Sequence, residues 1–219
     1  MSSGPRRALV VADGDVRLRP SDSDDRLVIA ADGGLLKAAA AGLSPDVVVG
    51  DFDSVPAGAV EAAAADGMQV LRYPTSKDES DTELAVREAI RRGATEVEIA
   101  GALGGQRIDH TLANLLLLAS VDIGGSLAIV DGPVTVRVIG PRGPERLEIR
   151  GAAGDLVSLL ALSEEVVGVT TDGLAYPLRS ATLSQGPTLG LSNELAGERA
   201  SVTIERGRLA VIHTRRENS

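Results

Sequence analysis

The sequence predicts an α/β region built on a doubly wound, mostly parallel sheet, followed by an antiparallel β-sandwich. Two observations lead to this prediction. Short apolar runs alternate with helical segments up to about residue 131, and beyond it short strand candidates are separated by Gly, Pro and Ser clusters. We therefore expect a first domain at residues 1–132 and a second domain at residues 133–219.

The first half contains six apolar runs that lack strict alternation, which is typical of strands buried on both faces of a parallel sheet. The predicted strands are residues 8–12, 27–31, 47–49, 68–71, 97–100 and 127–130. The predicted helices between them are residues 34–41, 57–65, 81–92 and 110–120. Gly42, Gly67 and Gly93 follow three of these helices as expected C-terminal stops.

The second half has no amphipathic helix of useful length. Its predicted strands are residues 134–139, 145–150, 155–162, 166–171, 199–204 and 208–213. Strands this short, separated by turn residues, indicate a sandwich or barrel.

Composition narrows the class of protein. The 219 residues carry 31 acids against 22 bases, a formal net charge of −9, so a nucleic acid partner is not expected. Without cysteine, thiol catalysis and disulfides are excluded. One Phe, two Tyr and no Trp imply an aliphatic core. The longest apolar runs are too short for a signal peptide or a membrane span, so we expect a cytoplasmic protein.

Four polar motifs follow predicted strands, at the edge where doubly wound sheets bind ligands. Their shared position indicates one site more strongly than any motif does alone. The motifs are Asp32-Gly33-Gly34, Gly50-Asp51-Phe52-Asp53-Ser54, Lys77-Asp78-Glu79-Ser80-Asp81 and Gly104-Gly105-Gln106-Arg107-Ile108-Asp109-His110.

Asp51 and Asp53 are two residues apart, so in an extended chain both carboxylates point to one side. Hard oxygen ligands in this arrangement suit Mg²⁺ bridged to a phosphate-bearing ligand. The alternative is an Asx-turn with exposed acids.

Ser80 and Glu83 fit a capping box, which makes Asp81 a residue of the first helical turn, where an anion is stabilised in any case. Lys77 and Asp78 add a cation and an acid beside it. Lys77 could meet a phosphate oxygen, although a lone surface lysine is usually only solvated.

The last motif offers Arg107, whose planar group suits phosphate, and Asp109, which could instead be an N-cap. His110 at a helix start is assigned no chemistry. Neither a P-loop nor a GxGxxG fingerprint occurs in the chain.

Taken together, these motifs resemble those of the thiamine pyrophosphokinase family: an ADGG-like turn, a GDxDS loop, a KDxTD segment and a GGRxDH loop, in that order. The resemblance continues into the second half, where residues 173–178 and Gly190-Leu191-Ser192-Asn193-Glu194 are similar to the thiamine-side motifs of the family.

The resemblance implies diphosphoryl transfer from ATP to the hydroxyl of thiamine, with release of AMP. It implies that Asp51, Asp53 and Asp81 hold Mg²⁺ and that Asp78 or Asp81 accepts the alcohol proton. The nucleotide and its phosphates would meet Asp32, Gly33, Lys77, Arg107 and Asp109. It also implies a homodimer in which Ser192 and Asn193 contact thiamine from the partner subunit.

The chain departs from the family pattern in three places. Ser80 replaces the usual Thr, Gln106 is inserted before Arg107, and the Trp on which some relatives stack thiamine is missing. Either aliphatic residues take its place or the acceptor pocket differs.

Three other functions are compatible with parts of the sequence. One is a diphosphokinase for another alcohol, such as a hydroxymethylpterin. The others are a non-catalytic thiamine or nucleotide sensor and a structural interaction module, which would leave the four strand-end motifs unexplained.

Overall fold

The structure is a computed structural model that describes residues 7–18, 25–56, 58–105, 107–141 and 143–216. Tertiary contacts divide the chain into two compact units, Met1–Leu117 with Ile129–Gly132 and Leu118–Ala128 with Pro133–Ser219. Residues 118–128 thus fall in the second unit, whereas the predicted domain boundary lies at residue 132, and that boundary stays a prediction.

The first unit is built on a sheet with the strand order β6-β5-β1-β2-β3-β4. The strands are β1 (Arg7–Val11), β2 (Leu27–Ala31), β3 (Val47–Gly50), β4 (Gln69–Arg72), β5 (Glu96–Ala100) and β6 (Ser126–Asp131), whose last residues belong to this unit. All pairings between neighbours from β5 to β4 are parallel. The order reverses at β1, so the predicted doubly wound sheet is confirmed.

Four helices alternate with these strands: α1 (Gly34–Ala40), α2 (Ala59–Ala65), α3 (Asp81–Arg91) and α4 (Ile108–Ser120). The three predicted stop glycines all have left-handed φ angles, between 72° and 93°. The predicted start of α2 at Ala57 lies outside the described residues. The helix α4 begins two residues earlier than predicted, because Thr111 N already donates to Arg107 O. Among the described residues, no helix has the length and apolar character needed to cross a membrane.

The core of the first unit is aliphatic apart from one ring. Leu9, Val11 and Val28 pack with Ala38 in one cluster. Phe52 packs with Val48 and Val60 in another cluster, on the side of α2. The predicted aliphatic core is therefore confirmed, and the single Phe of the chain is used in it.

The second unit consists of two antiparallel sheets of four strands, in the orders β12-β9-β14-β7 and β11-β10-β13-β8. The strands are β7 (Val134–Ile139), β8 (Arg146–Arg150), β9 (Leu156–Ala161), β10 (Glu165–Asp172), β11 (Ala181–Ser184), β12 (Asn193–Glu194), β13 (Arg199–Thr203) and β14 (Leu209–Thr214). Side chains of both sheets form one buried cluster, including Leu159, Val211, Val169 and Val202. The predicted sandwich is confirmed, with β11 and β12 as strands that the sequence pattern did not predict.

A buried acid, Asp155, joins the turn before β9 to the end of β14 and the residues after it. The Asp155 carboxylate accepts hydrogen bonds from Ala152 N and Arg216 N, and it lies 2.9 Å from His213 Nε2. Burial acts to raise the pKa of Asp155, but the hydrogen bonds outweigh it, and the pKa lies below its ordinary value. Asp155 is 2% exposed, so loss of its charge would leave these donors without a full partner.

We expect Asp155→Asn to lower the free energy of unfolding at pH 7 by about 2–4 kcal/mol, because the variant loses a buried, multiply bonded charge. Since the folded pKa is lowered, this stabilisation is present above the unfolded value of about 3.9 and is lost as the pH falls further. Urea unfolding between pH 3 and 7 measures both effects. The control is Asp172→Asn, which changes an exposed acid. An equal loss in the free energy of unfolding of both variants would contradict the stabilising role of the Asp155 charge.

Candidate functional site

The candidate site forms where β2, β3 and β4 end side by side. Asp32 N donates to Val49 O at 2.8 Å, and Tyr73 N donates to Gly50 O at 3.0 Å. The main-chain pairing of the three strands therefore continues into the first residues of the loops that follow them. The first three predicted motifs begin at or follow these strand ends. The parallel register therefore brings together polar residues that are distant in sequence.

Three acids form a carboxylate cluster, which we define as Asp32, Asp51 and Asp53. One oxygen from each lies within 4.8 Å of the others. Asp32 is buried, Asp51 is half-buried and Asp53 is exposed, so the cluster opens outward on one side. Three hard oxygen donors in this arrangement fit a divalent cation such as Mg²⁺, which keeps several waters and binds few carboxylates.

The loop between Asp51 and Asp53 is not extended, contrary to the assumption behind the predicted pair. Phe52 has φ 65° and turns its ring into the core. Asp32 Oδ1 accepts a 3.0 Å hydrogen bond from Phe52 N, and Asp51 Oδ1 accepts one from Asp53 N. The two acids join the same cluster because the loop folds around Phe52, not because alternate residues of a strand share a face.

The two inner acids differ in how readily they hold a proton. Burial raises the pKa of Asp32, and the carboxylates of Asp81 and Asp51 add to this effect. The pKa of Asp51 is lowered, first by the hydrogen bond from Asp53 N and then by Lys77. Of these two acids, Asp51 keeps its charge more firmly, and Asp32 gains more from a nearby cation.

Lys77 supplies a cation inside this group of acids. Its Nζ lies 3.2 Å from Asp51 Oδ2 and 3.1 Å from Asp81 Oδ1, and its side chain is 10% exposed. Burial acts to lower the pKa of Lys77, but the two carboxylates outweigh it, and the pKa is raised. A lysine held in this way is not a solvated surface residue.

Asp81 opens helix α3, as the capping pattern predicts. Ser80 Oγ accepts a 3.2 Å hydrogen bond from Glu83 N, which confirms Ser80 as the N-cap. The second bond of the predicted capping box, from Ser80 N to the Glu83 side chain, is wrong. The Glu83 carboxylate instead accepts hydrogen bonds from Arg87, one turn further along. Asp78 is exposed, and within the described residues it has no hydrogen bond or ion pair.

Arg107 and Asp109 lie at the start of α4 and are paired with each other. Their closest atoms, Arg107 Nη2 and Asp109 Oδ2, are 2.5 Å apart, and both side chains are more than half exposed. Arg107 lowers the pKa of Asp109 to about 2. In the described parts of the chain, no hydrogen bond or ion pair links either residue to the carboxylate cluster. The inserted Gln106 lies outside the described residues.

Gly33 and its neighbour have a steric reason to be glycine. A Cβ on Gly33 would lie 2.4 Å from Asp13 Oδ1, and one on Gly34 would lie 2.0 Å from Val11 O. Asp13, which follows the end of β1, thus lies against Gly33. It was not among the predicted site residues. Its position directly after the first apolar run was the signal that could have identified it.

The residues predicted for thiamine lie in the second unit. Ser192 is exposed with φ 58°, and its N–H donates to Ser158 Oγ at 3.1 Å. Asn193 is buried, and its side chain binds the main chain of Tyr176. Tyr176 itself is 71% exposed, and no role was predicted for it.

A doubly wound sheet whose strand ends gather carboxylates around a lysine has the charged groups that phosphoryl transfer uses, so the class it indicates is a phosphotransferase. Two family models match the chain, "Thiamin pyrophosphokinase, catalytic domain" at residues 21–127 and "Thiamin pyrophosphokinase, vitamin B1 binding domain" at residues 146–209. The chain belongs to the thiamin pyrophosphokinase family, whose members are diphosphotransferases.

Individual relatives agree over almost the whole chain. The thiamine pyrophosphokinase of Bacillus subtilis is 28% identical over 210 residues, which cover 94% of this chain and 97% of the relative. Its crystal structure superposes with a TM-score of 0.83 over 96% of this chain and 100% of that one. The thiamin pyrophosphokinase of Geobacillus thermodenitrificans is 30% identical, with a TM-score of 0.82 over 97% and 98% of the two chains.

Proposed function

We propose that this protein transfers the diphosphoryl group of ATP to the hydroxyl oxygen of thiamine, giving thiamine diphosphate and AMP. The single observation that carries the proposal is the joining of the carboxylate cluster to Lys77 and Asp81 in a family member that also has the vitamin B1 binding region. The first feature suits a triphosphate with its cation, and the second suits the acceptor.

Mg²⁺ is the proposed cofactor. Asp51 and Asp53 of the carboxylate cluster are its proposed ligands together with Asp81, and Asp32 is the cluster's third acid beside them. The donor set fits, because these are hard oxygens and because two of the three acids, Asp51 and Asp81, already share a cation in Lys77. Asp81 Oδ1 is buried and lies 3.1 Å from Lys77 Nζ without a hydrogen bond of good geometry, so a bound cation could take over this ion pair. When bound, Mg²⁺ would neutralise charge on the phosphate oxygens.

The remaining groups have positioning roles in this proposal. Asp32 and Gly33 border the triphosphate, and Lys77 offers its ammonium group to a phosphate oxygen. Arg107 and Asp109, which are exposed and joined to each other, face the nucleotide as a pair. Diphosphoryl transfer depends mostly on such positioning and on charge neutralisation.

The reaction forms a bond from the thiamine hydroxyl oxygen to the β-phosphorus of ATP and breaks the bond from that phosphorus to the α–β bridging oxygen. AMP leaves with this oxygen. The hydroxyl proton passes to a carboxylate. Asp78 suits this step better than Asp81, because Asp78 is exposed whereas Asp81 is engaged by Lys77.

On the acceptor side we assign Ser192, Asn193 and Tyr176. Ser192 offers an exposed hydroxyl on a left-handed residue. The ring of Tyr176 is the exposed aromatic surface of the vitamin B1 binding region, and an aromatic face attracts a flat cation such as the thiazolium of thiamine. Tyr176 would thus fill the role of the missing Trp, in place of aliphatic residues.

The test is to incubate the protein with ATP, Mg²⁺ and thiamine and to measure AMP and thiamine diphosphate. Equal amounts of both products are expected. Formation of ADP and thiamine monophosphate would overturn the diphosphoryl assignment, and AMP formation with a hydroxymethylpterin but not with thiamine would overturn the acceptor. Binding of thiamine without AMP release would indicate a sensor.

The proposed assembly is a homodimer in the cytoplasm, where ATP is supplied. Support for a partner comes from the α4 stripe, which we define as Ile108, Leu112 and Leu116. These residues are spaced one turn apart and are 70%, 55% and 60% exposed. Leu117 and Leu118 of the same helix are buried, so the exposed α4 stripe is apolar surface beyond what the fold of one chain covers, and such a patch often marks a contact with a partner.

We expect Leu112→Glu to halve the mass measured by light scattering after size exclusion, because a charge on the α4 stripe opposes its burial by a second copy. Thiamine-dependent activity should fall with it. The control is Leu36→Glu on α1, which is also an exposed leucine, at 42%. A dimer that survives Leu112→Glu would exclude the stripe from the interface.

A further inference from the structure

The side chain of Asn193 is almost completely used inside the protein. Asn193 Oδ1 accepts hydrogen bonds from Tyr176 N at 3.1 Å and Glu194 N at 2.9 Å, and Nδ2 donates to Tyr176 O at 2.6 Å. An amide side chain has two donor hydrogens and two acceptor lone pairs, so three of its four positions are filled. Asn193 is 8% exposed, which leaves little of it for a ligand.

These bonds lengthen a short antiparallel pairing by one residue. Ala196 N donates to Gly173 O, Leu174 bridges to Leu195, and Ala175 N donates to Glu194 O. At the next position, the amide of Asn193 takes the place of a peptide group and binds both the N–H and the C=O of Tyr176. The main chain of Tyr176 is therefore held as firmly as in a strand.

The segment is also fixed on both sides of Tyr176. Before it, the side chain of Leu174 is buried in the sandwich core. After it, Leu178 N donates to Thr171 Oγ1 at 2.8 Å. Between these anchors Tyr176 is 71% exposed, so a rigid main chain carries a projecting ring. Such preorganisation lowers the entropy that an aromatic contact loses on binding.

We propose that Asn193 is a positioning residue that acts on thiamine through Tyr176 and does not contact it. The inference rests on the proposed function, in which the Tyr176 ring meets thiamine. The amide fixes the main chain at residue 176 and thereby sets where the ring stands.

The experiment is a double-mutant cycle on the full chain, with Asn193→Ala and Tyr176→Ala singly and together. Kinetics with ATP, Mg²⁺ and thiamine give kcat and both KM values. Asn193→Ala alone should raise the thiamine KM roughly tenfold, as expected for two lost hydrogen bonds, with kcat and the ATP KM within about twofold of the wild type. In the Tyr176→Ala background the same change should alter the thiamine KM less than about twofold.

A direct contact gives a different result, namely an equal loss in both backgrounds, and that outcome would overturn the proposal. So would a Tyr176→Ala variant with unchanged thiamine KM. Asn193→Asp keeps the shape but replaces the Nδ2 donor by a charged acceptor that faces Tyr176 O, so it repeats the cycle if the alanine variant does not fold. Ser163→Ala is the matched control, since Ser163 Oγ binds Arg208 N and Glu165 O in the same unit.

Equilibrium dialysis of thiamine against the same proteins separates this proposal from the proposed function. If the wild type releases no AMP but binds thiamine, the diphosphoryl reaction fails and the cycle is evaluated on dissociation constants. If the wild type does not bind thiamine, the proposed function and the positioning role of Asn193 are both overturned.

Discussion

Asp51→Asn is expected to lower kcat/KM at least about 100-fold, because it removes a carboxylate of the cluster that is also paired with Lys77. The amide can still accept the hydrogen bond from Asp53 N, so the loop keeps its shape and the free energy of unfolding changes by about 1 kcal/mol or less. AMP release at several Mg²⁺ concentrations measures the effect. The Mg²⁺ concentration that gives half-maximal activity should be higher for the variant than for the wild type.

The control for Asp51 is Asp66→Asn, an exposed acid at the end of α2. It should leave activity unchanged. If Asp51→Asn retains more than a third of the wild-type activity while folded, Asp51 is not a ligand that the reaction needs.

Lys77→Met is the second large effect that we expect. Without the ammonium group, Asp51 and Asp81 face each other with no cation between them, in a part of the site where neither is fully solvated. Activity should fall about 100-fold because a phosphate oxygen also loses its positive partner. Added Mg²⁺ should raise the melting temperature of the variant more than that of the wild type, because the ion can take over the missing charge.

Melting curves with and without Mg²⁺ test the Lys77 effect independently of turnover. The other lysine of the chain, Lys37 on α1, provides the control Lys37→Met. If Mg²⁺ raises the melting temperature of Lys77→Met and of the wild type equally, Mg²⁺ does not replace the charge of Lys77 between Asp51 and Asp81.

The fold could be predicted where burial leaves a strong pattern. Strand β2 is buried along its whole length, and its predicted bounds agree with the structure. Strands β11 and β12 were missed because four- and two-residue strands among Gly, Pro and Ser leave no periodicity to detect. Strand β12 also depends on a partner distant in sequence, since Asn193 pairs with Val157.

The structure brings Asp32, Asp51 and Lys77 together, as the rule that ligands bind at strand ends predicts, since this rule depends only on topology. Their roles stay predictions, and the conformation of the loop between Asp51 and Asp53 was not predicted. The left-handed turn at Phe52 could not be predicted, because a bulky residue rarely adopts it and only packing in the core favours it. Asp13 was missed because it stands in no motif, although the same positional rule covers it.

The acceptor side shows a further limit of reasoning from motifs. Asn193 and Tyr176 stand 17 residues apart, and their hydrogen bonds depend on how the chain folds back after β10. A motif can mark both residues as members of a site, but only the fold distinguishes a residue that faces a ligand from one that holds its neighbour in place.

The scarcity of aromatic residues has a practical consequence for spectroscopy. The chain has no tryptophan and two tyrosines, Tyr73 in the first unit and Tyr176 in the second. Tyr73 follows β4 next to the loop of Asp51, and Tyr176 is the exposed ring of the vitamin B1 binding region. Intrinsic fluorescence therefore has one reporter in each unit, and Tyr176→Phe would leave a tyrosine emission signal from the first unit alone.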